Sequence, residues 1–155
     1  MEIKSIQELP ALTVRTTTSI QNLPQTIGQA YGAIMEHLGR SGKAPTGNPF
    51  IIYYNMEMEN LDVEAGFPVE PGTKGTEKIH VSKVPGGKAA TAVHTGSYET
   101  LAETYDALTA FVRENKVETE TWMWEMYLNS PQDTPKEKLM TQIQMECEKL
   151  RRQAN

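Results

Sequence analysis

The sequence has one cysteine, Cys147, three histidines and no apolar run that approaches the ~20 residues of a membrane-spanning helix. A lone thiol excludes an internal disulfide framework and suits a reducing cytoplasm. His37, His80 and His94 contain no His-x-x-x-His pair and have no cysteine cluster beside them, so no metal site and no haem or other cofactor is expected. Clustered basic charge is also scarce. The net charge is -5, and Lys149-Leu150-Arg151-Arg152 is the one basic cluster, which argues against direct nucleic-acid binding. The N-terminus lacks the basic-then-apolar order of a signal peptide. There is no Gly-x-Ser-x-Gly elbow, and neither Gly72–Gly75 nor Gly86-Gly87 is followed by the Lys-Ser/Thr of a phosphate loop.

What remains is a 155-residue chain of ordinary globular composition, enough for one domain built from two small modules. Ile3 to Thr18 favours strand, with Pro10 suggesting an edge or a bulge. Leu23, Ile27, Tyr31, Ile34 and Leu38 then recur at spacings of three and four, one face of an amphipathic helix. Asn22 is placed to cap that helix, with Gln25 three residues on and Pro24 tolerated in the first turn. A Gly/Pro-rich loop over 42–49 leads to the β-rich Phe50-Ile51-Ile52-Tyr53-Tyr54. Leu61, Val63 and Ala65 alternate with Asp62 and Glu64 as a half-buried strand.

After a break at Pro71–Gly75 the same order returns. Strands are expected near Ile79–Val84 and over Ala89–His94. A helix begins near Ser97 and carries Tyr98, Leu101, Tyr105, Leu108 and Val112, and strands follow over Trp122–Leu128 and through Cys147. The basic tail beyond is read as frayed. Tyr31 precedes Tyr54 by 23 residues and Tyr105 precedes Tyr127 by 22, which supports a tandem strand–helix–strand–strand repeat, the first about 1–70 and the second about 76–148. The expected fold class is α+β: one antiparallel sheet with pseudo-twofold symmetry, two long helices and a central ligand groove.

One carboxylate is out of keeping with its surroundings. In Trp122-Met123-Trp124-Glu125-Met126-Tyr127-Leu128 a strand would place Glu125 with Met123 and Tyr127 on one face and Trp122, Trp124, Met126 and Leu128 on the other. A carboxylate beside a phenol and a thioether suits a flat lipophilic cation. The alternative is an edge-strand glutamate facing water. Tyr53 and Tyr54, on the equivalent strand of the first repeat, and Tyr98, at a helix start, are further candidate ligand contacts. Tyr31 and Tyr105 read as core.

The segments His94-Thr95-Gly96-Ser97-Tyr98-Glu99-Thr100-Leu101 and Trp124-Glu125-Met126-Tyr127-Leu128-Asn129-Ser130-Pro131, with Pro45-Thr46-Gly47-Asn48-Pro49-Phe50 in the first half, resemble the GyrI-like family. That family includes effector domains of AraC-type and MerR-type multidrug regulators. The resemblance implies a glutamate at Glu125 in an aromatic pocket, meeting lipophilic and often cationic ligands through Glu125, Tyr127, Trp124, Trp122, Tyr53, Tyr54 and Tyr98. It also implies two alternatives. In one, Glu125, with Tyr127 as aromatic partner, is the catalytic group of a hydrolase that opens cyclopropane-bearing genotoxic compounds. In the other, the protein is a gyrase inhibitor acting on a protein partner. With no helix-turn-helix ahead of the domain, a stand-alone form is expected.

Overall fold

A computed structural model describes residues 1–147; the expected frayed tail and the basic cluster at 149–152 lie outside the described residues. The elements run β1 (Glu2–Ile6), β2 (Leu9–Thr18), α1 (Leu23–Arg40), β3 (Phe50–Tyr53), β4 (Leu61–Pro68), β5 (His80–Val84), β6 (Gly87–Thr95), α2 (Leu101–Glu114), β7 (Thr119–Tyr127) and β8 (Met140–Cys147). The class is α+β, and strand–helix–strand–strand occurs twice, as β2-α1-β3-β4 and β6-α2-β7-β8. Among the described residues no helix is long and apolar enough to cross a membrane.

The chain divides into two compact units, Glu8–Pro85 and a second made of Met1–Gln7 with the segment from Gly86 onward. The extended run expected over 3–18 is therefore two strands. β1 pairs antiparallel with β6, Ile3 opposite Ala90, whereas β2 pairs with β4 and β5 of the other unit. Each repeat thus receives its outer strand from the segment that precedes the other one. Sequence spacing carries no trace of this exchange, because pairing partners are a tertiary choice.

In the unit 8–85, Leu12, Ile34, Leu38, Val69 and Ile79 form the core, with Val14 and Phe67 packed against it. Val14 opposite Ala65 and Leu12 opposite Phe67 set the face of the sheet that α1 covers. Tyr31 packs its ring on Phe67, centroids 5.1 Å apart. One residue explains why β2 and β4 lie so close. A Cβ on Gly66 would stand 2.1 Å from the Leu12 carbonyl oxygen, so no larger residue fits. Pro10 sits near the start of β2, opposite Lys83, before the pairing with β4 begins at Ala11. The expected cap on α1 is absent: the Asn22 side chain makes no cap hydrogen bond, and its backbone is already helical. Ser19 Oγ instead accepts from Asn22 N at 3.2 Å, so the chain is tied one turn earlier.

In the other unit, Ala90, Ala92, Leu108, Val112 and Ile143 form the core, joined by Ile3, Leu101, Tyr105 and Met145. Ala92 lies opposite Ile143 and Ile143 opposite Glu125, so β6, β8 and β7 present these residues to α2. β7 begins at Thr119, three residues before the expected start at Trp122, and its register to β8 shifts between Thr119 and Met123. The expected helix start at Ser97 is a 3-10 turn, Tyr98–Thr100, leading into α2, and Ser97 Oγ caps it by accepting from Glu99 N at 3.1 Å.

Matching the two registers aligns the repeats residue by residue. Ile51 and Tyr53 oppose Ala65 and Val63, while Glu125 and Tyr127 oppose Ile143 and Thr141. Tyr53, rather than Tyr54, therefore corresponds to Tyr127, and the spacing from the helix tyrosine becomes 22 residues in both repeats, Tyr31 to Tyr53 and Tyr105 to Tyr127. Glu125 occupies the place that buried Ile51 holds in the first repeat.

Candidate functional site

Glu125 points to the α2 side of its sheet and is only 5% exposed. The Tyr105 hydroxyl, from α2, donates to Glu125 Oε2, and the Tyr127 hydroxyl, two residues along β7, donates to Oε1 at 2.5 Å. Both carboxylate oxygens are thus held by phenols from two elements. Burial pushes the Glu125 carboxyl above its ordinary range, while the two tyrosine hydrogen bonds pull the other way. The ion pairs among the described residues, Lys4–Glu2, Arg15–Asp62, Arg40–Glu36 and Lys83–Glu8, do not include it.

Tyr98 forms the outer wall. Its ring meets that of Tyr127 edge to face, centroids 6.0 Å apart and planes at 71°, and 39% of it is exposed. Burial, with a contribution from the charge on Glu125, raises the Tyr98 phenol above its usual value, so this hydroxyl lies within the field of the carboxylate. His94 is buried nearby on β6, with Nδ1 2.6 Å from Thr104 Oγ1 and Nε2 3.0 Å from the Ser97 carbonyl.

The sequence candidates sort by face and by unit. Glu125, Tyr127 and Tyr98 come together, joined by Tyr105, which its helical spacing had placed in the core. Trp124 lies on the opposite face of β7, where it opposes Gln144 and is fully buried, and Trp122 is half-buried within the register shift between Thr119 and Met123. Tyr53 and Tyr54 belong to the other unit. Tyr53 takes the α1 face and Tyr54 follows the end of β3.

That unit has its own buried carboxylate, which the alternation of β4 had assigned to the solvent side. Glu64 is 7% exposed, on the face away from α1, and accepts from Thr13 Oγ1 at 2.7 Å and Tyr54 Oη at 2.6 Å. Its cross-strand partner is Arg15. The Arg15 guanidinium stacks 3.9 Å from the Tyr54 ring centroid and grips Asp62 with two hydrogen bonds of 3.1 and 2.9 Å. This holds Asp62 below the usual carboxylate range and raises Arg15. Tyr54 is pushed well above the usual phenol range, first by burial and then by its bond to Glu64. Glu64 and Glu125, one in each unit, are therefore both buried carboxylates with two hydroxyl donors. Only Glu64 has an arginine opposite it.

The sequence matches the model of the GyrI-like small-molecule-binding domain over residues 1–147. The chain belongs to the GyrI-like family. Solved structures with the same fold include EcmrR in complex with DNA, 24% identical over 96% of this chain at a TM-score of 0.79. The chain spans 57% of that EcmrR chain, but 97% of the isolated EcmrR C-terminal domain, to which it is 22% identical at a TM-score of 0.73. SAV2435 bound to tetraphenylphosphonium is 13% identical, covering 99% of this chain and 96% of that one at a TM-score of 0.66. A hydrolase from Listeria innocua is 12% identical, covering 95% of this chain and 91% of that one at a TM-score of 0.67. No curated protein matches the sequence. At these identities the likeness to these structures is one of fold. Among the described residues, no group of three His, Cys, Asp or Glu could hold a metal ion.

Proposed function

We propose that this GyrI-like domain binds lipophilic cations at the Glu125 cluster, with Glu125 supplying the counter-charge and Tyr98, Tyr105 and Tyr127 the aromatic walls. The observation that carries this reading is the contrast between Glu125 and Glu64, the buried glutamate of the other unit. Glu64 has the Arg15 guanidinium across the strand pair, stacked on its donor Tyr54 and ion-paired to Asp62, whereas Glu125 is buried with hydroxyl donors and takes part in none of the ion pairs named above. A buried carboxylate without an opposite charge is costly. A ligand cation over the tyrosine faces gains both the cation–π attraction and the field of the carboxylate. The hydroxyls already occupy the oxygens, so the cation needs no direct hydrogen bond, which suits quaternary phosphonium and ammonium groups. The tetraphenylphosphonium bound to SAV2435 is a ligand of that type.

The experiment compares methyltriphenylphosphonium with triphenylphosphine oxide, close in shape but neutral, on wild type and Glu125→Gln. Selective loss of the phosphonium supports the reading, and equal losses oppose it.

One observation favours a second reading. A carboxyl raised by burial and flanked by phenols is suited to general acid–base work, and one relative of similar fold is a hydrolase. In that case water adds to one ring carbon as the strained C–C bond breaks, Glu125 takes the proton that water loses and returns it to the leaving carbon, and Tyr127 orients the substrate. A water adduct formed in molar excess over protein distinguishes turnover from capture.

A further inference from the structure

The outer wall of the site is a single exposed tyrosine on a short turn, and one buried side chain ties that turn down. Gly96 enters the turn at φ +133°, a conformation that favours glycine, and its N–H donates to the Leu139 carbonyl at 2.7 Å. Beneath it lies the His94 ring, whose Nε2 would be 3.6 Å from a Cβ on Gly96. Nε2 is 3.0 Å from both the Ser97 carbonyl oxygen and Thr100 Oγ1. A carbonyl only accepts, so Nε2 carries the hydrogen. The Thr100 hydroxyl gives its own proton to Ser97 O at 2.9 Å and can share the same imidazole N–H as acceptor. Nδ1, on the far side of the ring, then accepts from Thr104 Oγ1 at 2.6 Å, on the first turns of α2.

One imidazole therefore joins the end of β6, both ends of the 97–100 turn and α2, and Tyr98 lies between its two anchor points on that turn. We infer that His94 is a positioning residue of the ligand site: it holds the 97–100 turn so that Tyr98 stands edge-on to Tyr127 beside Glu125. It touches no ligand, being buried beneath the turn and committed at both nitrogens. This inference rests on the proposed binding role of the Glu125 cluster for its functional consequence, but the geometric part stands without it.

The test has a ligand-free and a ligand-bound arm. In the free protein, hydrogen exchange at the Glu99 and Thr100 amides, which bond to Ser97 Oγ and Ser97 O at 3.1 Å, reads the order of the turn. His94→Leu should raise that exchange at least tenfold and His94→Gln, which keeps a donor and an acceptor, should restore most of the protection. Should His94→Leu fold poorly, Thr100→Val removes one anchor from an exposed position and should raise the exchange by a smaller factor. Unchanged exchange in the leucine variant, or in Thr100→Val where that variant replaces it, overturns the inference.

For function, His94→Leu and Tyr98→Ala should each weaken methyltriphenylphosphonium and triphenylphosphine oxide by similar factors, and the double variant should lose no more than the larger single loss. Losses that multiply would mean that His94 acts independently of Tyr98, and would also overturn it. Failure of the site itself is a different result: Glu125→Gln and Tyr98→Ala would then both leave phosphonium affinity unchanged, and the exchange arm would still decide on His94.

Discussion

Replacing Tyr105 with phenylalanine deletes one of the two hydroxyls on Glu125 and leaves the ring in the α2 core. A hydrogen bond to an ionised group contributes roughly 1.5–3 kcal/mol, and the loss falls almost wholly on the charged form. The pH dependence follows from the raised carboxyl. Below the unfolded-state value, near ~4.3, Glu125 is protonated in both states and its contribution to stability is complete. As pH rises towards the folded-state value the unfolded chain ionises first, and stability falls by up to ~1.4 kcal/mol per pH unit until the folded protein has ionised too. Tyr105→Phe raises the folded value further, so this fall continues to higher pH. Urea unfolding at pH 4 and pH 8 should therefore show a small cost at pH 4 and a cost larger by up to about 1.5–3 kcal/mol at pH 8. In a Glu125→Gln background, which has no carboxylate to ionise, the pH dependence of the Tyr105→Phe cost should vanish. An equal cost at both pH values, or additivity of the two substitutions at pH 8, would refute the account of a buried carboxylate held by phenols.

The affinity for a phosphonium should rise by up to tenfold per pH unit through the folded titration of Glu125 and level off above it, while triphenylphosphine oxide binding stays flat; calorimetric titration from pH 4 upward checks both. Arg15→Met should cost about 1 kcal/mol in urea unfolding, because Asp62 loses a half-exposed ion pair and Glu64 its cross-strand cation, and Glu64→Gln in the same background should recover part of the loss. Full additivity would contradict the coupling. Gly66→Ala should cost about 3 kcal/mol or more in thermal unfolding, since its Cβ would fall 2.1 Å from the Leu12 carbonyl oxygen and force β2 and β4 apart.

The helices and most strands were legible because their apolar periods survive unmixed. Leu23 to Leu38 and Leu101 to Val112 keep helical spacing, and Ile143, Met145 and Cys147 keep a period of two despite the polar residues between them. The segment before Pro10 was less so: Ile3 and Leu12 both favour strand, yet nothing local tells that one pairs with Ala90 and the other with Phe67. Within the site, Glu125 and Tyr127 could be read from alternation alone. Tyr105 read as core because a tyrosine at helical spacing buries its ring in either role, and only its hydroxyl partner separates them. Glu64 was hidden by the same alternation that exposed Glu125. A period of two says which residues share a face but not whether the polar face is covered. The register that aligns Tyr53 with Tyr127 was off by one residue in the spacing argument, since β3 ends at Tyr53 and Tyr54 turns to Glu64.

The central claim is that Glu125 is a counter-charge for a ligand cation. Paired calorimetric titrations of methyltriphenylphosphonium and triphenylphosphine oxide, on wild type and Glu125→Gln at pH 8, measure it directly. The account predicts that the amide weakens the phosphonium at least tenfold and changes the neutral oxide less than about twofold, a charge-specific difference of ~1.4 kcal/mol or more. Equal factors for the two ligands, or phosphonium binding untouched by Glu125→Gln, would contradict it.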